Sequence, residues 1–399
     1  MLALSAPADI AAELKRIGAD AVDIAALEPK ARLRLVKLDA VPASAADVLQ
    51  RAMRAHDGEA AVSQRGTGGG GQTVDCLLIG TAAHYGRLCD ELGTQSAGLA
   101  QAAAEIERAV RAFERPLAIE LRCGARALRL GERTLIMGVI NATPDSFSGD
   151  GLAGDVGAMV ARGEEMAAQG ADVLDIGGES TRPGSDPVDA ETEIARVLPV
   201  IEGLSDLVEA PLSIDTCKSD VARAALGAGA TMINDVSGLR FDAGMAGLAA
   251  RRGVPVVVMH MQGAPRTMQD HPHYEDLMGE IAAHLRQSVN LAERAGVPRH
   301  QVVIDPGFGF GKTVNHNLEI VRRLRELKSL GQGVVLGPSR KSTIGKVLGL
   351  PPHERLEGTL AVLALAVANG VDIVRVHDVR AALRAVRMAD AVVRGWAGE

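Results

Sequence analysis

One pattern constrains this chain more than any other. From Thr134 onward, a short apolar, β-branched run ends in a polar or glycine-containing loop and is followed by an alanine-rich segment, eight times over. The runs span residues 134–141, 173–177, 211–215, 232–235, 255–260, 302–305, 333–337 and 373–377. Most are apolar almost throughout rather than alternating, as parallel strands covered on both faces require. The segments between them carry amphipathic helical spacing, as at Val221, Ala224, Ala225 and Ala228. Eight strand–helix units predict an α/β fold of the TIM (β/α)8 barrel type. A doubly wound open sheet shares the same local pattern. Polar residues gather at the C-terminal ends of nearly all eight runs, which converge on one mouth in a barrel but would spread along an edge in an open sheet.

Residues 1–116 are different in kind. Helical stretches at 43–56 and 97–113 alternate with short strands at 33–38 and 74–79, and the segment 66–71, with four consecutive glycines, reads as a loop. This predicts a smaller N-terminal α/β domain of unknown role, followed by the barrel domain at 117–399. Residues 117–130, with a turn at Gly124, predict a hairpin that could cover the bottom of the barrel. A formal net charge of −7 argues against a nucleic-acid partner, which would need a basic face. The four cysteines form no CxxC pair and read as reduced cytosolic thiols. The start of the chain shows no secretion signal, and the longest apolar stretch, near 360–368, is too short to span a bilayer, so a cytoplasmic protein is expected.

The chemistry is concentrated in the loops after the runs. The first, from Asn141 to Gly151, is rich in Gly, Ser and Asp and suited to fold over a ligand. The chain has only five Phe, and three of them (Phe147, Phe308 and Phe310) sit in such loops, where an exposed ring would serve a flat substrate. Asp215, Asn234 and Asp305 each stand at or next to the last position of a buried apolar run, an expensive place for a polar group without a partner. Each alone could cap the following helix. Together they suit a ring edge carrying several N–H donors and a carbonyl, such as that of a 2-amino-4-oxo pterin. Arg182, in the second loop, could meet an anion in bidentate fashion.

The stretch Gly307-Phe308-Gly309-Phe310-Gly311-Lys312-Thr313 is not a phosphate loop, because Pro306 stands where GxxxxGK[ST] needs glycine. Its glycines would instead let backbone approach a flat ring. Ser339-Arg340-Lys341 follows the seventh run, and Arg375 and His377 end the eighth, the positions at which barrels often bind phosphate. His260, His271 and His273 match no zinc spacing and read as structural or solvent-facing, and the loop 262–274 looks flexible.

In this order the segments resemble dihydropteroate synthase, a family of pterin-binding barrel enzymes. The resemblance runs through MGVINATPDSF (137–147), DIGGESTRPG (175–184), SIDT (213–216), INDVSG (233–238), MHMQG (259–263), DPGFGFGK (305–312), SRK (339–341) and RVHD (375–378), and covers roughly residues 118–395. It implies condensation of 6-hydroxymethyl-7,8-dihydropterin pyrophosphate with 4-aminobenzoate by a dissociative, Mg2+-assisted route in folate biosynthesis. Asp215, Asn234, Asp305 and Lys341 would hold the pterin, with Gly309 close by and Met259 and Arg375 on its faces; Asp215, Asp305, Lys341 and Arg375 would be catalytic. Asn141, Thr181, Arg182, Arg375 and His377 would hold pyrophosphate, Asn141 reaching Mg2+ as well. Phe147, Thr181, Arg182, Pro183, Phe310, Ser339 and Lys341 would border 4-aminobenzoate. A homodimer is implied too. In one place the chain departs from the family: the usual Ser-Asp-Gly-Gly after the Phe reads Ser148-Gly149-Asp150-Gly151 here. A pterin-binding methyltransferase would share the Asp and Asn residues but has no use for a pyrophosphate cluster, and a non-catalytic pterin-binding homologue is the other alternative.

Overall fold

The eight runs close on themselves. In the computed structural model, which describes residues 10–63, 73–114, 118–143, 155–180, 185–263, 266–396 and 398, they form one closed barrel of parallel strands. The chain divides into two compact units between Arg115 and Pro116.

The first unit holds a three-stranded antiparallel sheet of order β1-β3-β2, with β1 at Leu33–Pro42, β2 at Glu59–Val62 and β3 at Thr73–Thr81. Helices Ala43–Ala55, Ala82–Gly93 and Ala97–Glu114 accompany it. Leu49, Met53, Leu78, Leu88 and Ile106 form its core. Tyr85 is buried there with its hydroxyl donating to the carbonyls of Leu78 and Arg34 at 2.9 and 3.0 Å, so its polar tip is satisfied. β1 runs past the expected end at Leu38, because a register shift between Leu38 and Val41, with Ala40 at φ +53, absorbs an irregularity and lets pairing resume. The glycine-rich segment 66–71 lies outside the described residues.

In the second unit, β4 (Ile119–Cys123) and β5 (Arg126–Leu130) form the expected hairpin, turning at Gly124 with φ +63. The barrel strands follow: β6 (Leu135–Asn141), β7 (Val173–Gly177), β8 (Leu212–Asp215), β9 (Met232–Asp235), β10 (Val256–Met259), β11 (Val302–Asp305), β12 (Gly333–Leu336) and β13 (Ile373–Val376), with β13 pairing back to β6. Alternation along each strand sorts the side chains. Leu174, Ile176, Ile214, Val258 and Ile304 pack in the layer shared with the surrounding helices. Met137, Val173, Met232, Val257, Val303, Val335 and Ile373 form a separate inner cluster, which Ile119, Leu121, Leu128 and Leu130 of the hairpin complete. The hairpin therefore plugs the N-terminal end. Gln301 fastens it, donating to the Glu120 carbonyl and accepting from the Arg122 amide at 2.8 and 2.9 Å. With that end filled by apolar packing, the inward positions one step further along the strands are left for polar groups.

Candidate active site

Those inward positions carry Asp175 on β7, Asp215 at the end of β8, Asn234 on β9, Met259 at the end of β10, Asp305 at the end of β11 and Arg375 on β13. Strand register makes them neighbours: Asp215 pairs with Asn234, and Met259 with Asp305. Six elements far apart in sequence thus aim side chains at one mouth.

Arg375 is the hub. Its Nε donates to Asp175 Oδ2 at 2.6 Å and its Nη2 to Asp215 Oδ2 at 2.7 Å. Asn234 Nδ2 donates to the same Asp175 oxygen at 3.0 Å. Burial pushes the Asp215 carboxyl up to about 7, against Arg375 and with Asp175. The helix-capping alternative fails for Asn234. Its neighbour Asp235 takes the turn instead, accepting from the amides of Ser237 and Leu239. Asp305 does tie one backbone amide, that of Gly307, at 2.7 Å. Burial raises the Asp305 carboxyl too, with Lys341 opposing.

The glycine-rich loop after β11 is held by side chains along four successive carbonyls. Lys341 Nζ donates to Phe308 O at 2.5 Å, Gln269 Nε2 to Gly309 O at 2.7 Å, Lys312 Nζ to Phe310 O at 2.9 Å and the Tyr274 hydroxyl to Gly311 O at 2.8 Å. Gly307 needs its φ of +71, and a Cβ there would stand 1.9 Å from the His260 carbonyl oxygen. Lys341 Nζ also lies 4.6 Å from the centre of the Phe310 ring. Burial draws Lys341 down to about 8, with Asp305 opposing.

Of the residues singled out from sequence, Asp215, Asn234, Met259, Asp305, Gly309, Phe310, Lys341 and Arg375 come together here. Met259 and Phe310 share an apolar cluster with Val236, Met261 and Met268. Ser339 and His377 lie at the rim, His377 Nδ1 being 3.0 Å from Ser339 Oγ. Asn141 ends β6, beside Gly177 in register. Phe147, Asp150, Thr181, Arg182 and Pro183 lie outside the described residues.

Two expectations change. Phe308 is fully buried in the core layer outside the barrel, so only its backbone carbonyl serves the loop and its ring is unavailable to a ligand. The described residues of 262–274, a segment read as flexible, are held by side-chain bonds: Gln262 exchanges side-chain bonds with the backbone of His273, and Gln269 and Tyr274 hold the glycine loop. Sequence reading also missed Asp175 and Lys312. The signal for Asp175 is a carboxylate in the middle of an otherwise apolar run rather than at its end. Lys312 is buried, with Nζ 2.9 Å from His260 Nδ1.

A magnesium ion prefers oxygen ligands and keeps phosphate or water among them. Among the described residues no group of three or more His, Cys, Asp or Glu side chains converges as a metal cage. Asn141 offers a neutral oxygen, which fits a metal carried mainly by substrate phosphates.

The profile of the family described as pterin binding enzyme matches residues 137–377. A dihydropteroate synthase of Synechocystis sp. is 45% identical over 265 residues, covering 66% of this chain and 92% of that one. A solved dihydropteroate synthase of Xanthomonas albilineans with 4-aminobenzoic acid is 45% identical with a TM-score of 0.65, covering 69% of this chain and 98% of that one. Another, in complex with 7,8-dihydropteroate, is 43% identical with a TM-score of 0.62, covering 68% and 98%. Barrel and site thus define a transferase class, and the chain belongs to the pterin-binding enzyme family. Within that family its relatives place it among the dihydropteroate synthases.

Proposed function

We infer that the barrel mouth joins 6-hydroxymethyl-7,8-dihydropterin pyrophosphate to 4-aminobenzoate, giving 7,8-dihydropteroate and pyrophosphate. The observation that carries this reading is the convergence of three acceptors, Asp215, Asn234 and Asp305, with the cations Arg375 and Lys341 at one barrel mouth. A pterin edge is rich in N–H donors and carries one carbonyl; the acceptors take the donors and Lys341 takes the carbonyl. Met259 supplies an apolar face, and Arg375 lies across from it, held by two carboxylates.

The carbon–oxygen bond between the pterin methylene and pyrophosphate breaks first. The positive charge left on the methylene spreads into the ring, with Asp215 and Asp305 beside it. The amine of 4-aminobenzoate then bonds to that carbon and loses a proton. An aryl amine is a free nucleophile at neutral pH, so no strong base is required. His377, Thr181, Arg182 and Asn141 receive the pyrophosphate. Asn141 would hold Mg2+, which when bound neutralises the leaving group. Phe147, Pro183, Phe310 and Ser339 border the aminobenzoate.

The same reading includes a homodimer formed through the barrel helices. Val347, Leu348, Leu365, Met388 and Val392 are exposed apolar side chains on the last three helices, Ser342–Leu348, Leu356–Ala368 and Val379–Arg394. Sedimentation at micromolar concentration should give twice the chain mass. We place the reaction in the cytoplasm, in keeping with four free cysteines. No described helix is long and apolar enough to cross a membrane.

The test is pyrophosphate release that requires both substrates. Methyl transfer to another acceptor without pyrophosphate release, or no release at all, would refute the reading. Asp305→Ala should abolish pterin binding by calorimetry, and unchanged affinity would remove that residue from the site.

A further inference from the structure

The role of Asp175 is not explained by ligand contact. Its side chain is fully buried in β7, a strand otherwise made of Val173, Leu174, Ile176 and Gly177. A carboxylate there is costly unless it does something for the groups around it. One oxygen, Oδ2, receives both Arg375 Nε and Asn234 Nδ2, at 2.6 and 3.0 Å. The other, Oδ1, is buried with no partner among the described residues, and so is the Oγ of Ser213, the residue paired with Asp175 across β7 and β8.

We propose that Asp175 is a positioning residue that sets which atoms the pterin site presents. Resting on the pterin reading above, it works through two other side chains. Asn234 could in principle offer a ligand either end of its amide. Turned the other way, its Oδ1 would face the Asp175 carboxylate, oxygen against oxygen. Bonding through Nδ2 removes that choice and leaves Oδ1 as the end available to a ligand. Asn234 therefore becomes a third acceptor beside Asp215 and Asp305, which selects a ring edge of N–H donors. The same Oδ2 fixes Arg375 by Nε, so that its Nη2 reaches Asp215 in one geometry rather than several. Bond-lengths of this kind between a carboxylate and a guanidinium are those of charge-assisted pairs.

The test is a double-mutant cycle on kcat/KM for the pterin pyrophosphate. Asp175→Asn should lower it about tenfold or more, as loss of a charged hydrogen bond does. In an Asn234→Ala background the same change should cost at least about threefold less, the remaining cost being the share that runs through Arg375. Costs that simply multiply would overturn the proposal, since a residue supporting only the fold has no reason to be silenced by Asn234→Ala. A second measurement covers the case in which Asp175→Asn does not fold. In the substrate-free wild-type protein one Asn234 Nδ2 proton should resonate downfield of the exposed Asn290 side-chain amide. Ordinary shifts for both protons would overturn it. That spectrum needs no turnover, so it stands or falls separately from pyrophosphate release.

Discussion

Lys312 Nζ lies 2.9 Å from His260 Nδ1, an amine and an imidazole facing each other inside the wall of the site. Burial draws Lys312 down to about 7, and the contact disfavours charge on His260. Burial lowers His260 to about 2, with Lys312 acting in the same direction, and burial lowers the nearby His284 to about 4. Their rings are 4.7 Å apart.

The acid stability of the fold follows. Both histidines are protonated in the unfolded chain below about pH 6.5 but resist protonation when folded. The unfolded state then binds more protons, so stability is fully present above pH 6.5 and is lost as pH falls towards about 4 for His284. His284→Gln should reduce this loss by ~1–2 kcal/mol at pH 4, after allowing for partial solvent screening. Urea melts at a series of pH values measure it, and an unchanged slope in the variant would refute it.

Lys341 should govern the alkaline side of catalysis. Its amine is drawn down to about 8, chiefly by burial. In the pterin reading the charged form donates to the ring, so kcat/KM should fall as pH rises through about 8. Lys341→Arg should keep part of the activity and move the alkaline limb upward, because a guanidinium stays protonated. A limb that stays near 8 in the variant would assign it to another group.

Two glycines with the same backbone region should respond differently to a methyl group. Gly307 and Gly331 have φ of +71 and +80, but an added Cβ meets the His260 carbonyl oxygen at 1.9 Å in the first and nothing within 4 Å in the second. Gly331→Ala should cost about 1 kcal/mol of stability from backbone strain alone. Gly307→Ala should cost ~3 kcal/mol or more and raise the KM for the pterin, since the glycine loop must shift. Paired thermal melts and kinetics distinguish the two.

Leu121, in β4, is fully buried against the inner barrel cluster, far along the strands from the site. Leu121→Ala should destabilise by ~2–4 kcal/mol by opening a cavity in the plug. KM values should stay within about twofold of wild type below the new melting temperature. A large change in KM with little loss of stability would mean the hairpin influences the mouth directly.

Much of the polar cluster at the barrel mouth was legible because the same feature, a polar residue ending an apolar run, marks both strand register and the positions that face the mouth. Asp215, Asn234, Asp305 and Arg375 could be picked out for that reason. Asp175 could not, because it sits mid-run, where a charge reads as an exception and only the Arg375 and Asn234 contacts explain it. Phe308 misled in the opposite sense: two residues from Phe310, it points into the core layer while Phe310 joins the apolar cluster at the mouth. Composition does not encode that difference, which arises from loop geometry.

The sequence by itself determined the strand–helix repeat, the hairpin before it and the order of polar run ends, because these depend on local periodicity and on what may be buried. Tertiary structure decided which of those groups meet. Barrel closure pairs β13 with β6, bringing Arg375 within bonding distance of carboxylates 200 and 160 residues away in the chain. Side-chain bonds across that distance depend on register and closure, which no stretch of sequence contains.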